Sequence, residues 1–349
     1  MKIASILDKD IVGDVGIELE AEFEAVRAPM PQYKDWVAKP EGSLRGTCME
    51  YVSAQPFKAD KHMREKINNL CSAINAPACR VIKDSPRTSI HVHTNILDLT
   101  PSQMFTFGLA YWSIENALFN YCGPKRKNNL FCLRLQDAPG GADYIASLLT
   151  GDGTNIFRNL DTDAIRYGGI NWNAAPKFGS LEFRGMRGST DPEIMHTWAM
   201  GLHELKINST TNFKNPADLF DSFAVMDKEV YLGRLLSPEF AKIIKSYPGW
   251  TEGMEDNVLM LSVLAYSQNW EKFDSRFKAK KEPTPAQNGR LEGVLRHDLR
   301  NEIIDDLMEQ PAPRPLDWQV LMDQQANPAL DARMARMINV IGRANDRLN

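Results

Sequence analysis

The chain has 349 residues, 43% of them hydrophobic and 25% charged, the proportions of a globular protein rather than a disordered or fibrous one. A chain of this length withdraws about three quarters of its extended surface from water on folding, so its core needs neither disulfides nor a structural metal. Its net charge of −4, from 41 basic and 45 acidic side chains, excludes the strongly basic footprint of a general nucleic-acid binder.

No run of about 18 apolar residues is present, so no membrane-spanning helix and no membrane partner are expected. Residues 1–10 (MKIASILDKD) lack the apolar stretch of a secretory signal. Five cysteines, Cys48, Cys71, Cys79, Cys122 and Cys132, form no Cys-x-x-Cys pair and read as the reduced, mostly buried thiols of a cytoplasmic protein.

Residues 16–23 (GIELEAEF) alternate strictly, with Ile17, Leu19, Ala21 and Phe23 on one strand face and Glu18, Glu20 and Glu22 on the other. Carboxylates so placed, about 6–7 Å apart, repel by about 2–3 kcal/mol per pair at an effective dielectric of about 20. A hard divalent cation turns that repulsion into attraction; a fully wet strand face is the plainer alternative. Residues 50–53 (EYVS) read as a weaker strand after the turn Glu41-Gly42-Ser43. Met63, Ile67, Leu70 and Ile74 then make one apolar stripe of a helix over 58–75.

In residues 88–95 (TSIHVHTN), Ser89, His91, His93 and Asn95 share one side and Ile90 and Val92 the other. A strand-borne His-x-His pair suits a ligand or phosphate contact. Thr100-Pro101, a cap followed by a first-turn proline, opens a helix over 101–121 that stops before Gly123. Gly151-Asp152-Gly153-Thr154 reads as a loop. Residues 166–173 (RYGGINWN) read as a strand, with Asn171 and Asn173 beside Gly169, whose missing side chain leaves room for a ligand. A hairpin turn at Pro176-Lys177-Phe178-Gly179 leads to 180–184 (SLEFR), with Leu181 and Phe183 inward and Ser180, Glu182 and Arg184 on the polar side.

Beyond residue 190 helical patterns dominate, from 191 to 205 and near 216–225, 238–246, 254–268, 290–308 and 328–346, with exposed linkers at 272–285 and 311–315. The expectation is an α+β fold: an antiparallel or mixed sheet backed by helices on one face, within a first region over 1–210, followed by a mainly helical region over 211–349.

The four polar strand faces carry Glu, His, Asn and Arg but no lysine. Acids and imidazoles suit cations and guanidinium suits anions, so the combination fits a metal–phosphate site. Neither Gly-x-x-x-x-Gly-Lys-Ser/Thr nor Gly-x-Gly-x-x-Gly occurs, which leaves metals and arginines to hold any phosphates. Two other readings stand beside this one. A metal-dependent hydrolase would use His91 and His93, drawing further ligands from His62, His196, His203 and His297; of these, only His196 and His203 could share a helix face, and packing roles suit them better. The other alternative is a non-enzymatic binding or assembly protein.

Five stretches occur in a telling order: Gly16-Ile17-Glu18-Leu19-Glu20; Gly42-Ser43-Leu44 with Glu50-Tyr51-Val52-Ser53; Ser89-Ile90-His91-Val92-His93; Arg166-Tyr167 with Asn171; and Ser180-Leu181-Glu182-Phe183-Arg184. Over residues 13–190 they resemble the amidoligase family, carboxylate–amine ligases of the glutamine synthetase and glutamate–cysteine ligase fold. The resemblance implies a curved antiparallel sheet of glutamine-synthetase-like type, backed by helices and enclosing ATP and Mg2+, with a helical C-terminal part. By position it implies metal ligands at Glu18, Glu20, Glu50, His91 and Glu182. It places Arg184 and Glu50 against the reacting groups, and His93, Arg87, Asn171 and Arg126 against nucleotide or substrate. Glu41 stands where the family often has Asp before Gly-Ser, with no role assigned. The implied reaction is ATP-dependent amide-bond formation through an acyl phosphate, joining a carboxylate substrate to an amine acceptor (amino acid, peptide or protein). A homo-oligomer is compatible with the sequence.

Overall fold

In the computed structural model, residues 1–24, 34–76, 85–138, 140–149, 155–162, 165–255 and 257–279 are described. Helix α1 (Ile3–Leu7) leads into strand β1 (Val15–Phe23), followed by β2 (Trp36–Lys39), β3 (Thr47–Ser53), α2 (Lys61–Ile74), β4 (Ser89–Asn95) and α3 (Pro101–Cys122). Next come α4 (Gly141–Leu148), α5 (Ile156–Leu160), β5 (Ile170–Asn171), α6 (Ala174–Phe178) and β6 (Ser180–Arg187). Helices α7 (Pro192–Asn212), α8 (Pro216–Val225), α9 (Lys228–Leu235), α10 (Pro238–Lys245), α11 (Glu252–Glu255), α12 (Val258–Ala265) and α13 (Trp270–Phe273) complete the described chain. The class is mixed α+β. Six strands form one antiparallel sheet in the order β2-β3-β1-β4-β6-β5.

Sequence alternation becomes a two-sided sheet. Ile17, Leu19, Ala21 and Phe23 of β1, Ile90 and Val92 of β4, and Leu181 and Phe183 of β6 all enter one core. Helix α3 lies against that face, its Phe107 and Tyr111 rings 5.3 Å and 4.8 Å from Phe183. Thr100 starts α3 with a reciprocal capping box to Gln103. The helix is apolar nearly all round because it also contacts α7, α8, α11 and α12, and such a helix is stable only when buried on every side. Each buried aromatic ring contributes about 1.5–3 kcal/mol relative to exposure. Gly108 makes the closest packing possible: a Cβ there would lie 2.2 Å from the Trp172 indole.

The β4–β6 pairing contains an irregularity that serves the polar face. Ile90 pairs with Met186 and Val92 with Phe183, so His91 alone stands opposite both Arg184 and Gly185. A bulge of this kind keeps Met186 and Phe183 both in the core while re-aiming the residue between them. Arg126, just after α3, holds the bulge in place. Its guanidinium donates to the carbonyls of Arg184 (2.8 Å), Gly185 (3.2 Å), Pro86 (3.2 Å) and Thr88 (3.4 Å).

Several expectations are corrected. The strand expected over 166–173 is reduced to Ile170–Asn171, because Gly168 bridges to Leu133 and the space beside Gly169 is filled by the Glu115 carboxylate from α3, not by a ligand. Residues 176–179 are not a hairpin turn: α6 is a one-turn helix ended by Gly179 in the left-handed region (φ 71°). The helix expected over 254–268 is split into α11 and α12 around Asn257, whose buried amide donates to the Trp112 carbonyl. The linker expected from 272 is folded as far as its aromatic residues reach: Phe273 and Phe277 are buried 5.4 Å apart, and Asp274 binds Ser102. The boundary at 210/211 falls inside α7, and residues out to Phe277 share the same core, so the first compact unit runs Met1–Ala279. Residues 151–154 and the region from 280, with its expected helices and second linker, lie outside the described residues, as do Cys79 and His297. Among the described residues no helix is long and apolar enough to cross a membrane.

Candidate active site

The polar face of the sheet gathers most of the expected residues in a cavity of about 440 Å3, lined by Glu18, Glu20, Glu50, His91, His93, Arg87, Asn171, Glu182 and Arg184 among others. Strand register explains the convergence. Glu18 pairs with His91, Glu20 with Glu50, His93 with Glu182, and Asn171 with Glu182. Glu22 points to the same side but leaves the site, its carboxylate accepting the Arg45 N–H.

Two groups of potential ligands result, each with its ligand atoms within 4.8 Å of one another: Glu18, His93 and Glu182, and Glu20, Glu41 and Glu50. In the first, His93 Nε2 lies 3.5 Å from Glu18 and 4.0 Å from Glu182. His91 sits deeper, its Nδ1 3.3 Å from Glu18 and 3.4 Å from Glu182 and its Nε2 3.8 Å from Glu20. Thus His93, expected to touch phosphate, stands in a potential ligand group, while His91 touches carboxylates of both groups from below.

Burial opposes the Glu18 carboxylate, but hydrogen bonds and charge from His91 and His93 overcome it and hold its pKa far below the usual carboxylate range. Burial likewise works against Glu182, and His93, Arg184 and His91 outweigh it and lower its pKa. His93 follows the same logic with opposite sign: despite burial, its contact with Glu18 and the charge of Glu182 raise it above its ordinary value. In the second group burial pushes Glu50 up, aided by Glu18 and Glu20 and resisted by Lys39, whose ammonium is 2.8 Å away. The ammonium of Lys39 on Glu50 and the guanidinium of Arg184 on Glu182 are the permanent cations these carboxylates hold, with the His93 ring beside Glu18.

The donor set is carboxylate oxygen with imidazole, which suits Mg2+ or Mn2+ better than a thiol-preferring metal. Arg184 lies between the sheet and the outer wall, ion-paired with Glu182 and donating through Nε to the Phe131 carbonyl at 3.2 Å. Asn171 donates to the far oxygen of Glu182 at 2.6 Å, so that carboxylate is gripped from both sides. The outer wall comes from connections rather than strands. Arg87, fixed to the Ser43 carbonyl at 3.0 Å, stacks over Phe131 at 5.8 Å. Arg166 stacks over Tyr167 at 5.8 Å, and the two rings meet edge to face. Phe178, exposed on the opposite rim, packs edge-on against His93.

Arg126 does not belong to this site. It is 1% exposed, does not line the cavity, and spends its donors on the bulge carbonyls described above. Sequence reasoning missed Lys39 and assigned nothing to Glu41. The strand β2 that carries Lys39 is only four residues long, and Lys39 pairs with Glu50 across it; the turn Glu41-Gly42-Ser43 was the visible signal for Glu41, whose carboxylate accepts the Ser43 N–H at 2.9 Å. His196 and His203, the remaining candidates for a hydrolytic metal, lie on α7 outside the cavity; His196 contacts Arg64. No protein-family model matches the chain, and no curated protein matches it.

Proposed function

We propose that the protein is an ATP- and Mg2+-dependent carboxylate–amine ligase that forms an amide bond through an acyl phosphate. The observation that carries this reading is the convergence of two carboxylate groups and Arg184 on one sheet face inside a single cavity. The order of motifs that resembles the amidoligases, with their glutamine-synthetase-like sheet, supports it further. Glu18, His93 and Glu182 would hold one Mg2+, and Glu20, Glu41 and Glu50 a second. Bound there, the ions supply charge neutralisation for the triphosphate.

The protein's own groups do the rest. Arg184 is held by Glu182 and the Phe131 carbonyl, so its charge is fixed before reaction, which is what stabilises charge developing on a transferred phosphoryl group. The substrate carboxylate attacks the γ-phosphorus, the bond to the ADP oxygen breaks, and the amine then displaces phosphate from the acyl carbon. Arg87 and Arg166, braced on Phe131 and Tyr167, offer guanidinium groups to phosphate or to the acid.

Incubation with ATP, Mg2+, a panel of carboxylic acids and hydroxylamine tests this reading, since hydroxylamine captures an acyl phosphate as a hydroxamate. Acid-dependent ADP and hydroxamate are expected, and both vanish in Glu18→Gln and Arg184→Ala. Undiminished turnover in those variants removes the assigned roles. Turnover with Zn2+ and no nucleotide selects the hydrolase that His91 and His93 would serve.

A further inference from the structure

Ser89 lies beneath the two acidic groups, 2% exposed and absent from the cavity lining. Its hydroxyl makes two contacts: a short hydrogen bond with Glu20 and a 2.8 Å contact with His91 Nε2. A serine hydroxyl has one proton to give. Were it given to His91, the Ser89 oxygen would face the Glu20 carboxylate with no hydrogen between them. The hydroxyl therefore donates to Glu20 and turns its oxygen toward His91 Nε2. The 2.8 Å contact holds the imidazole edge-on, with Nδ1 facing Glu18 at 3.3 Å and Glu182 at 3.4 Å.

The order Ser89, His91, Glu18 mimics the connectivity of a hydrolytic triad, but the hydroxyl is buried and committed to Glu20, so it is no nucleophile. We propose instead that Ser89 is a positioning residue shared by both cation-binding groups. Through Glu20 it sets a carboxylate of one; through His91 it sets the imidazole that lies against two carboxylates of the other. Outer partners of metal ligands act in this way, orienting donors they do not replace. The inference rests on the metal-dependent reading above and adds one prediction to it: loss of a single buried hydroxyl weakens both ions together.

The test is a Mn2+ titration of the full-length protein followed by electron paramagnetic resonance, with thermal melting in the absence of metal as a check on folding. Ser89→Ala is expected to lower affinity for both ions by about 10- to 100-fold while the metal-free protein, though melting some degrees lower, stays fully folded at the temperature of the titration. Ser89→Thr, which keeps the hydroxyl, restores most of that affinity. Two outcomes overturn the role of Ser89 alone: wild-type affinity in Ser89→Ala beside a defective Glu18→Gln, or a Ser89→Thr as weak as Ser89→Ala. If Glu18→Gln takes up Mn2+ as wild type does, or wild type takes up none, the metal reading itself fails and the role of Ser89 fails with it.

Discussion

Glu20 and Glu50 face each other directly across β1 and β3, both buried, with a single ammonium from Lys39 touching only Glu50 among these two. Like charges placed so are destabilising, and the fold keeps them. Glu20→Gln is expected to raise the melting temperature of the metal-free protein by about 1–3 °C. On the metal-dependent reading the same change should also reduce the stabilisation gained from Mg2+ or Mn2+, leaving the share of the Glu18, His93 and Glu182 group. Melting curves with and without metal decide it, and a variant less stable than wild type in both conditions contradicts the account.

Arg126 tests whether the bulge matters. Arg126→Met leaves the carbonyls of Arg184, Gly185, Thr88 and Pro86 without their donor, a loss of about 3 kcal/mol or more. ADP formation should fall as well, because Arg184 is then aimed less firmly, although Arg126 does not line the cavity. Denaturant unfolding and turnover at a temperature where the variant stays folded provide the two measurements. Full activity and full stability together would show the bulge to be self-supporting.

Glu115 predicts a pH dependence. Burial pushes its carboxyl up to about 8 from 4.5, against the pull of the Leu135 N–H and Arg134. A group raised in the folded state binds its proton more tightly there. Its contribution to stability is thus complete below the unfolded value and is lost as pH rises through the folded one. Glu115→Gln should flatten the decline in unfolding free energy between about pH 5 and pH 8, gaining on wild type as the pH increases. Parallel pH profiles for the two proteins would refute this.

Gly108→Ala exchanges a poor helix former for the best one, yet it should destabilise. The new methyl lies 2.2 Å from the Trp172 indole, and overpacking of this kind costs about 1–3 kcal/mol, more than the helix propensity gained. Trp172 lies between Asn171 and Asn173, which line the cavity, so on the ligase reading the KM for ATP should rise with the loss of stability. A more stable Gly108→Ala would mean that the indole moves aside freely.

Much of this was legible where one chemical pattern is local. Alternation over 16–23 and 88–95 marked β1 and β4, and the helical patterns near 216–225 and 238–246 became α8 and α10. What stayed hidden depends on partners far along the chain. The shortening of β5 comes from Glu115, the break before α12 from Trp112, and the confinement of Arg126 from carbonyls at 86–88 and 184–185. A buried arginine and a ligand-binding arginine look alike in sequence. Lys39 escaped notice because a four-residue strand offers too little alternation to read.

The side chains proposed to hold cations, Glu18, Glu20, Glu50, His93 and Glu182, stand on interior strands, whereas Arg87, Phe131, Arg166, Tyr167 and Phe178 stand outside them, all but Phe178 in connecting loops. Exchanging those outer side chains leaves the strand pairing untouched and keeps the Phe131 and Gly169 carbonyls that hold the Arg184 side chain and backbone, so selectivity can change while the strand residues stay in place. Side-chain exchange at Arg87, Phe131, Arg166 and Tyr167, with the loop backbone kept, is therefore the economical route to a new choice of ligand.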